Sequence, residues 1–526
     1  MTETMDVEHA PRAGRREWIG LAVLALACLL YSMDLTVLHL AVPALSADLR
    51  PTSTQLLWII DIYGFMVAGS LLTMGTLGDR IGRRKLLLIG AASFGAMSLL
   101  AAFSVSAEML IGSRALMGIA GATLAPGTLS LIFTMFRDKR QRAVAIGVWI
   151  TAFSAGGAIG PVAGGLLLER FWWGSVFLLA LPVMALLLVL GPRVLPEYRD
   201  PDAGEIDLIS AAMSLVAILA VIYGLKETAQ RGFDILPTLL ILAGLGVGAL
   251  FVRRQRRLES PLIDLSLFRI RRLNAALVTN LLGIFIAFGY FLFVAQYLQL
   301  VLGLTPLEAG LWSLPSAVGF IIGSNVSPHF VHRFRPSLVL GTSLAAASGG
   351  LLALTQVGTS QGLGLVVVGS VVISLALSPV FTLTTELVVG SAPPEKAGAA
   401  SGISETGAEL GGALGIAILG SIGAAVYRSG LAESLPGDLP AEAGRAVRET
   451  LGAAVAVAED LPERLGLAVL DSAREAFVSS LQVTAAVSAA IALASGLLAA
   501  SLLRGVPPQQ DQPETEPSAP SGSAME

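Results

Sequence analysis

The chain has 526 residues, of which 54% are apolar and only 14% are charged, and its net charge is -4. In soluble proteins about a quarter of the residues are charged, so this composition indicates a membrane protein. The apolar residues would be enough for about fourteen membrane spans, which excludes a single-pass protein. The long apolar runs disfavour a β-barrel, the acidic balance disfavours a nucleic-acid binder, and the single cysteine, Cys28, excludes a disulfide framework or thiol cluster.

The apolar runs predict membrane-spanning helices along the whole chain, which makes it an all-α polytopic membrane protein. The first run is too long for the apolar region of a signal peptide, so we interpret it as a span. The predicted spans are residues 17–40, 56–77, 86–103, 109–133, 143–168, 175–195, 206–225, 235–252, 273–300, 309–330, 338–355, 363–387, 397–426 and 477–503.

Basic residues alternate between successive loops. They precede the first span and follow the second, fourth and eighth, whereas the loops after the first, third, ninth and eleventh spans have almost none. Short cytoplasmic loops retain Lys and Arg, so both termini are predicted to be cytoplasmic, the N-terminal one as segment 1–16. Segment 428–475 is then external, and its periodicity at 445–457 and 461–476 predicts a small helical hairpin. The polar tail 504–526 is predicted to be disordered.

The strongest local motif lies between the second and third spans. Its glycines permit close packing, its acid can cap the next helix or pair with a cation, and its arginines hold the loop inside. Ordinary positive-inside charge would explain the arginines but neither the glycines nor the acid. The motif comprises Gly75, Gly78, Asp79, Arg80, Gly82 and Arg83.

A second motif lies in the fifth span. Gly156, Gly160 and Gly164 are four residues apart and give one helix face without side chains, and Pro161 removes a backbone donor and bends the helix. On its own this pattern predicts close helix packing.

These two motifs resemble the loop motif of the major facilitator superfamily and the antiporter motif of its drug exporters. The segment 114–122, which begins with Arg114, resembles the fourth-helix motif of the superfamily. The segment 33–43 resembles the first-helix motif of its fourteen-helix drug:proton antiporter family, of the QacA, SmvA and LfrA type. Three departures stand out: His39 replaces the usual asparagine, the second-half echo at 323–335 has no acid, and Phe320 stands where some relatives have an acid.

The resemblance implies the major facilitator fold, with two six-helix bundles at 17–195 and 273–503. It also implies an inserted transmembrane helix pair at 206–252. The second bundle would include the external loop.

Ionisable residues inside the predicted spans are few, and such residues are functional candidates by default because burying a charge in lipid is costly. Asp34 is the leading candidate for proton coupling, with Arg114 as its possible partner. Glu405 and Glu409 are four residues apart and therefore share a helix face, which makes them candidates for binding protons and cations. By resemblance, Asp61 is also a functional acid. A capping or solvated role for Asp61 and a structural role for Arg114 remain open alternatives.

Aromatic residues within the spans could line a cavity in which stacking and cation–π contacts hold flat cations, although each could equally face lipid or fill the core. The candidates are Trp58, Tyr63, Trp149, Phe153, Phe285, Tyr290 and Trp312. The pair His329 and His332 is weak evidence for a metal site, and we predict none. No phosphate-binding Gly-Lys loop is present, so ATP is not expected to drive the protein.

The sequence therefore predicts a transporter and not an enzyme. Specifically, it predicts a proton-coupled multidrug efflux antiporter of a bacterial cytoplasmic membrane, exporting lipophilic and mainly cationic compounds by alternating access. Its energy source would be the proton gradient, without a cofactor, and its partners would be drugs, protons and membrane lipids, with no nucleic acid and no obligate protein. The alternatives are a dedicated exporter of one natural product and a lipid-handling transporter.

Overall fold

The computed structural model describes residues 13–199, 207–231, 234–258, 261, 263, 265–360, 362–392, 397–436 and 439–505. Throughout these residues the chain forms helices and turns, without a strand. Most of the predicted segments 1–16 and 504–526 lies outside the described residues. The prediction of an all-α membrane protein is confirmed.

Most of the helices follow one another with short connections, and longer segments separate α8 from α9 and α10 from α11. Their bounds are α1 Arg15–Leu49, α2 Ser53–Ile81, α3 Arg83–Ala102, α4 Ala107–Gly121, α5 Leu124–Met135, α6 Lys139–Leu168, α7 Ser175–Leu178, α8 Ala180–Val194, α9 Leu208–Arg231, α10 Ile235–Gln255, α11 Arg271–Gln296, α12 Pro306–Arg333, α13 Pro336–Leu354, α14 Leu363–Ser391, α15 Ala397–Ser434, α16 Ala441–Glu449, α17 Leu451–Glu459 and α18 Glu463–Leu502. Among the described residues, 11 helical segments are long and apolar enough to cross a membrane, or 12 if a bent pair within α6 is one span.

Local sequence explains where many of these helices begin. The Thr52 side chain accepts a hydrogen bond from the Gln55 backbone N–H, and the Gln55 side-chain oxygen accepts one from the Thr52 backbone N–H, which caps α2. Thr305 and Glu308 form the same capping box on α12, and Asp138 caps α6. Such caps satisfy backbone donors that have no partner within the helix.

The helices pack as two bundles. In the first half (α1 to α8), α1 packs on α6 and α8, and α3 packs on α4 and α8. In the second half (α11 to α15 with α18), α12 packs on α14, α11 on α15, and α13 on α18. The two halves meet through α2 with α15, α6 with α12, and α1 with α11.

The inserted pair α9 and α10 lies beside the junction of the two halves. Helix α9 contacts both α2 and α15, whereas α10 packs mainly on α9. Phe65 of α2, Ile222 of α9 and Ala413 of α15 form one buried apolar cluster. The pair therefore covers the side of the α2–α15 contact.

Two short helices, α16 and α17, lie between α15 and α18. We call the side of the molecule that carries these two helices the hairpin face. The side where α1 begins and α18 ends is the terminal face. The segment predicted as one helix at 445–457 is divided at Thr450, whose side chain caps α17. The segment 461–476 is not a separate hairpin helix, because α18 runs without interruption from Glu463 to Leu502. Helix α15 likewise extends beyond its predicted end, to Ser434.

Candidate functional site

A buried ion pair joins α1 and α4 within the first half. Arg114 Nη1 donates to Asp34 Oδ2 at 2.7 Å, and the two residues are 2% and 7% exposed. Arg114 also donates to the backbone oxygens of Ile59 and Ile60 in α2, at 3.3 and 3.5 Å. The charge that a bilayer would penalise is therefore paired and surrounded by hydrogen-bond acceptors.

Aromatic rings enclose the Arg114 guanidinium. Its Cζ lies 4.6 Å from the Tyr63 ring centre and 5.9 Å from that of Phe177. A cation over an aromatic face is attracted by the π electrons. Tyr63, predicted as a cavity residue, therefore lies against the protein's own cation and is 1% exposed.

A second acidic centre lies on α15, in the other half. Glu405 and Glu409 are both partly exposed. The Tyr31 hydroxyl of α1 donates to Glu409 Oε1 at 2.6 Å, so this acid is held from across the junction of the halves. Asp61, the remaining candidate acid, is 1% exposed on the buried side of α2.

Only some of the candidate cavity aromatics come together. Trp149 and Phe153 of α6 stack with ring centres 6.3 Å apart, and Phe153 lies 6.2 Å from Tyr31. The ring centre of Trp58 instead lies 6.3 Å from that of Tyr223 on α9.

The other three candidates lie in the second half of the chain. Phe285 and Tyr290 are buried in α11, and Trp312 is 44% exposed on α12. The rings of Tyr31, Phe153 and Trp149 thus form a row in which Tyr31 contacts Glu409; a cavity lined by all seven candidates stays a prediction.

The glycine face of α6 lets α1 approach at backbone distance. A β-carbon at Gly156 would lie 2.2 Å from the Leu29 carbonyl oxygen, and one at Gly160 would lie 2.3 Å from Thr36 Oγ1. One at Gly164 would meet Val37 Cγ2 at 2.4 Å. This face thus fixes the height and tilt of α1, which carries both Asp34 and Tyr31.

The same helix meets the second half further along. A β-carbon at Gly165 would lie 2.5 Å from the Pro306 carbonyl oxygen, and one at Gly310 would lie 2.6 Å from the Pro161 carbonyl oxygen. Helix α6 therefore packs closely on α1 with one face and on α12 with another. The helix contains Pro161, which cannot donate a backbone hydrogen bond.

The loop motif between α2 and α3 binds the segment that follows α8. Gly82 has a φ of 110°, which favours glycine, and a β-carbon there would lie 2.5 Å from Glu197 Oε1. Arg84 Nε lies 3.4 Å from Glu197 Oε2, and the Arg83 guanidinium lies 6.0 Å from the Tyr198 ring centre.

The two glycines that precede Asp79 in the loop motif have less crowded surroundings than Gly82. A β-carbon at Gly75 would meet nothing within 4 Å, whereas one at Gly78 would lie 3.3 Å from Leu86 Cδ2. Arg80 is exposed, and the side chain of Asp79 lies outside the described residues. Next to the motif, Arg84 pairs with Glu197, an acid that sequence reasoning did not single out.

Contacts between the halves close the hairpin face. Glu449 Oε2, at the end of α16, accepts hydrogen bonds from both the backbone N–H and the hydroxyl of Ser53 at the start of α2, each at 2.9 Å. Deeper in the protein, the rings of His39 on α1 and Phe291 on α11 lie 5.2 Å apart. The described contacts between the halves thus extend from the level of Tyr31 and Glu409 to the hairpin face.

Two helical halves that meet beside acidic residues within their helices are the architecture of a secondary transporter. The sequence profile of the Major Facilitator Superfamily matches residues 24–416. The chain belongs to the Major Facilitator Superfamily. Major facilitator proteins are transporters, so the expectation that this chain is not an enzyme is confirmed.

Several curated members of the superfamily are similar over nearly their whole length. The multidrug efflux pump LfrA of Mycolicibacterium smegmatis is 43% identical over 492 residues, covering 93% of this chain and 97% of that protein. The methyl viologen resistance protein SmvA of Salmonella typhimurium is 37% identical, with 92% and 98% covered. The tetracenomycin C resistance and export protein of Streptomyces glaucescens is 33% identical, with 98% of each chain covered.

Solved structures of other transporters share the fold. A bacterial homologue of the human lysosomal transporter Spinster, inward-facing and unoccupied, aligns with a TM-score of 0.63 over 93% of this chain and 99% of that one. Its sequence identity is 17%, so the likeness concerns the fold alone. The family resemblance predicted from the motifs is confirmed, and the chain is a multi-pass membrane transporter.

Three residues that sequence reasoning missed are Tyr31, Glu197 and Glu449. Tyr31 precedes Asp34 by three residues, so helical spacing could have indicated that both lie on one side of α1. Glu197 lies in the segment that follows α8 and Glu449 ends α16, and in neither case does spacing in the sequence indicate the partner. Among the described residues, no group of three or more His, Cys, Asp or Glu side chains could hold a metal ion; the side chains of His329 and His332 lie outside that part of the chain.

Proposed function

We propose that the protein is a proton-coupled multidrug efflux antiporter that exports lipophilic, mainly cationic compounds by alternating access. The observation that carries this proposal is the placement of Glu405 and Glu409, partly exposed, opposite the buried Asp34–Arg114 pair of the other half. Carboxylates in such a position can hold either a proton or an organic cation, and this competition is what an antiporter requires. The names of LfrA and SmvA, as a multidrug efflux pump and a methyl viologen resistance protein, support a substrate range of this kind.

The proposal includes fourteen membrane spans and cytoplasmic termini. Eleven helical segments of the described residues are long and apolar enough to span a membrane by themselves. The count of fourteen then requires three more spans: the broken helix formed by α4 and α5, the bent helix α6 and the short apolar part of α9. The terminal face has the basic residues that cytoplasmic loops retain, among them Arg83, Arg84 and Lys85. The closed hairpin face is then external, the cavity opens to the cytoplasm, and the membrane is the cytoplasmic membrane of a bacterium.

In this cycle, a drug enters from the cytoplasm and binds near ionised Glu405 and Glu409, with the rings of Phe153 and Trp149 beside it. Protons arriving from the outside neutralise the acids after the halves have rocked, and the drug leaves. The Asp34–Arg114 pair lies between α1 and α4, so protonation of Asp34 would release Arg114 and alter the packing of α1. Each proton moved inward across 100 mV supplies about 2.3 kcal/mol.

The test is transport of ethidium in proteoliposomes with an imposed pH gradient. Wild-type protein should accumulate ethidium only while the gradient persists, and Asp34→Asn should abolish gradient-driven transport. Glu405→Gln should reduce transport of ethidium more than that of a neutral antibiotic. Glu442→Gln, which neutralises an exposed acid of α16, is the matched control and should transport normally.

Two results would contradict the proposal. Ethidium transport that is unaffected when the pH gradient is dissipated would exclude proton coupling. Wild-type transport by Asp34→Asn would remove this acid from the coupling mechanism.

A dedicated natural-product exporter is the second candidate. The similarity to the tetracenomycin C resistance and export protein, 33% over 98% of each chain, favours it. The same fold and acids would serve one natural product. A panel of cationic dyes and chemically diverse antibiotics distinguishes the two, because a dedicated exporter should transport only one chemical class.

A further inference from the structure

Tyr31 connects the first half to the acidic centre of the second half. Its side chain is 2% exposed, and its hydroxyl donates to Glu409 Oε1 at 2.6 Å. The two residues are 378 positions apart and lie on α1 and α15, which belong to different bundles. This hydrogen bond therefore depends on how the two halves are arranged.

The first half fixes the position of the Tyr31 ring. Its centre lies 6.4 Å from that of Tyr63 and 6.2 Å from that of Phe153, on two other helices of the same half. Tyr63 in turn packs against Arg114, the partner of Asp34. The hydroxyl is thus held by an aromatic group that also contacts the buried ion pair.

The chemistry of this contact favours the ionised acid. A phenol O–H donates to a carboxylate oxygen and thereby stabilises the charged form of the acid. The ionisable groups that interact electrostatically with one or both glutamates include Cys28 and Tyr31 on α1 and Tyr63 on α2, and the two glutamates also interact with each other. Of these groups, Tyr31 donates a hydrogen bond to Glu409.

The other helices packed on α15 direct their tyrosines elsewhere. The ring of Tyr223 on α9 packs against Trp58, and the hydroxyl of Tyr290 on α11 meets Ser374 of α14 at 3.5 Å. Glu386 on α14 is an exposed side chain that lies about two turns beyond the buried Ser378.

We propose that Tyr31 is a positioning residue for Glu409, which keeps this carboxylate ionised and oriented for a cation while the halves are closed at the hairpin face. Separation of α1 from α15 removes the hydrogen bond, so that Glu409 binds a proton more readily in the other conformation. Conformation and protonation are then coupled by one hydroxyl. This inference rests on the proposed function, because it assigns Glu409 the exchange of protons and cations.

The experiment compares Tyr31→Phe with wild type by infrared difference spectroscopy of reconstituted protein during a pH titration. The carboxylic-acid C=O band that disappears in Glu409→Gln reports the protonation of Glu409. Tyr31→Phe should shift the midpoint of this band by about one pH unit toward alkaline pH, as expected for the loss of one hydrogen bond to a charged acceptor. Ethidium binding, measured by fluorescence anisotropy, should require a correspondingly higher pH.

Tyr297→Phe is the matched control. The Tyr297 hydroxyl also makes a 2.6 Å hydrogen bond, but to the Gly358 carbonyl oxygen near the hairpin face. This variant should leave the Glu409 midpoint unchanged, because its lost hydrogen bond has no connection to the acid.

The outcomes separate this inference from the proposed function. Three results would each overturn the role of Tyr31. They are a Tyr31→Phe midpoint that coincides with that of wild type, midpoint shifts of equal size in both tyrosine variants, and a Glu409 band that does not titrate. A shifted midpoint in a protein that binds no ethidium at any pH would support Tyr31 and refute the proposed export of cations.

Discussion

Gly156→Ala is the substitution whose effect the structure defines most closely. The new β-carbon would lie 2.2 Å from the Leu29 carbonyl oxygen, and ordinary contact begins at 3.4 Å, so α1 and α6 would have to separate locally by about 1.2 Å. The obstacle is backbone, which cannot rotate away as a side chain can. Overpacking of this kind costs about 1 to 3 kcal/mol. We therefore expect a lower apparent melting temperature in detergent.

The same displacement should affect transport. Asp34 and Tyr31 lie on α1 within about a turn and a half of Leu29, and their hydrogen bonds of 2.7 and 2.6 Å would be lost or lengthened by a shift of this size. Misplacement by about 1 Å can reduce a rate by about a hundredfold. The initial rate of ethidium efflux from energised cells should therefore fall by about tenfold or more.

The neighbouring glycine provides the control. A β-carbon at Gly157 would lie 3.6 Å from Ser32 Oγ, which is an ordinary contact. Gly157→Ala should transport normally and melt at an equal or slightly higher temperature, because Ala is favoured over Gly within helices by about 1 kcal/mol. A Gly156→Ala protein with wild-type melting temperature and efflux would show that α1 and α6 do not meet at backbone distance.

Three further predictions concern charged residues. Arg114→Lys retains the charge but loses the forked contacts to the backbone of α2, and ethidium efflux should fall at least about tenfold; normal efflux would mean that charge alone suffices. Glu449→Ala removes two hydrogen bonds across the closed hairpin face. In a protein without the native cysteine, a cysteine introduced at Ser46 should then react several-fold faster with an impermeant thiol reagent than it does when Glu449 is present. An unchanged rate would exclude Glu449 as a contact that closes this face. Although burial opposes it, hydrogen bonding to Arg254 lowers the pKa of Asp207 from 3.8 to about 2. This pair should therefore stabilise the protein above about pH 4 and cease to do so as the pH falls toward 2. The melting temperatures of wild type and Asp207→Asn should accordingly differ at pH 7 and converge in acid. A difference that stays constant with pH would contradict the pairing.

The sequence predicts the helices well where apolar runs end at charges or turns. The third predicted span, 86–103, corresponds to Arg83–Ala102, because basic residues and a glycine precede it. The prediction fails in segment 428–475, where α18 begins at Glu463 and continues without a break to Leu502. Periodicity indicates helix on both sides of residue 477, but it cannot distinguish a helix that ends at the membrane from one that continues beyond it.

The pairing of site residues was less accessible from the sequence. Burial costs suggested that Asp34 needs a cation, and Arg114 was the candidate within the spans, so this pair could be predicted. Glu409 and Tyr31 lie in different halves and 378 positions apart, and no spacing rule connects such residues. Their contact follows from the arrangement of the bundles, which a single sequence does not specify.

The contact of Gly156 with α1 has a consequence for the genetics of this protein. The atom nearest to a side chain introduced at Gly156 would be the carbonyl oxygen of Leu29. Any amino acid at position 29 has the same backbone carbonyl in the same place. A defect caused by a larger residue at 156 should therefore have no second-site suppressor at the facing position. At Gly164 the excluding atom is Cγ2 of Val37, so Val37→Ala could restore function. Selection for revertants would thus reveal which helix contacts involve backbone and which involve side chains.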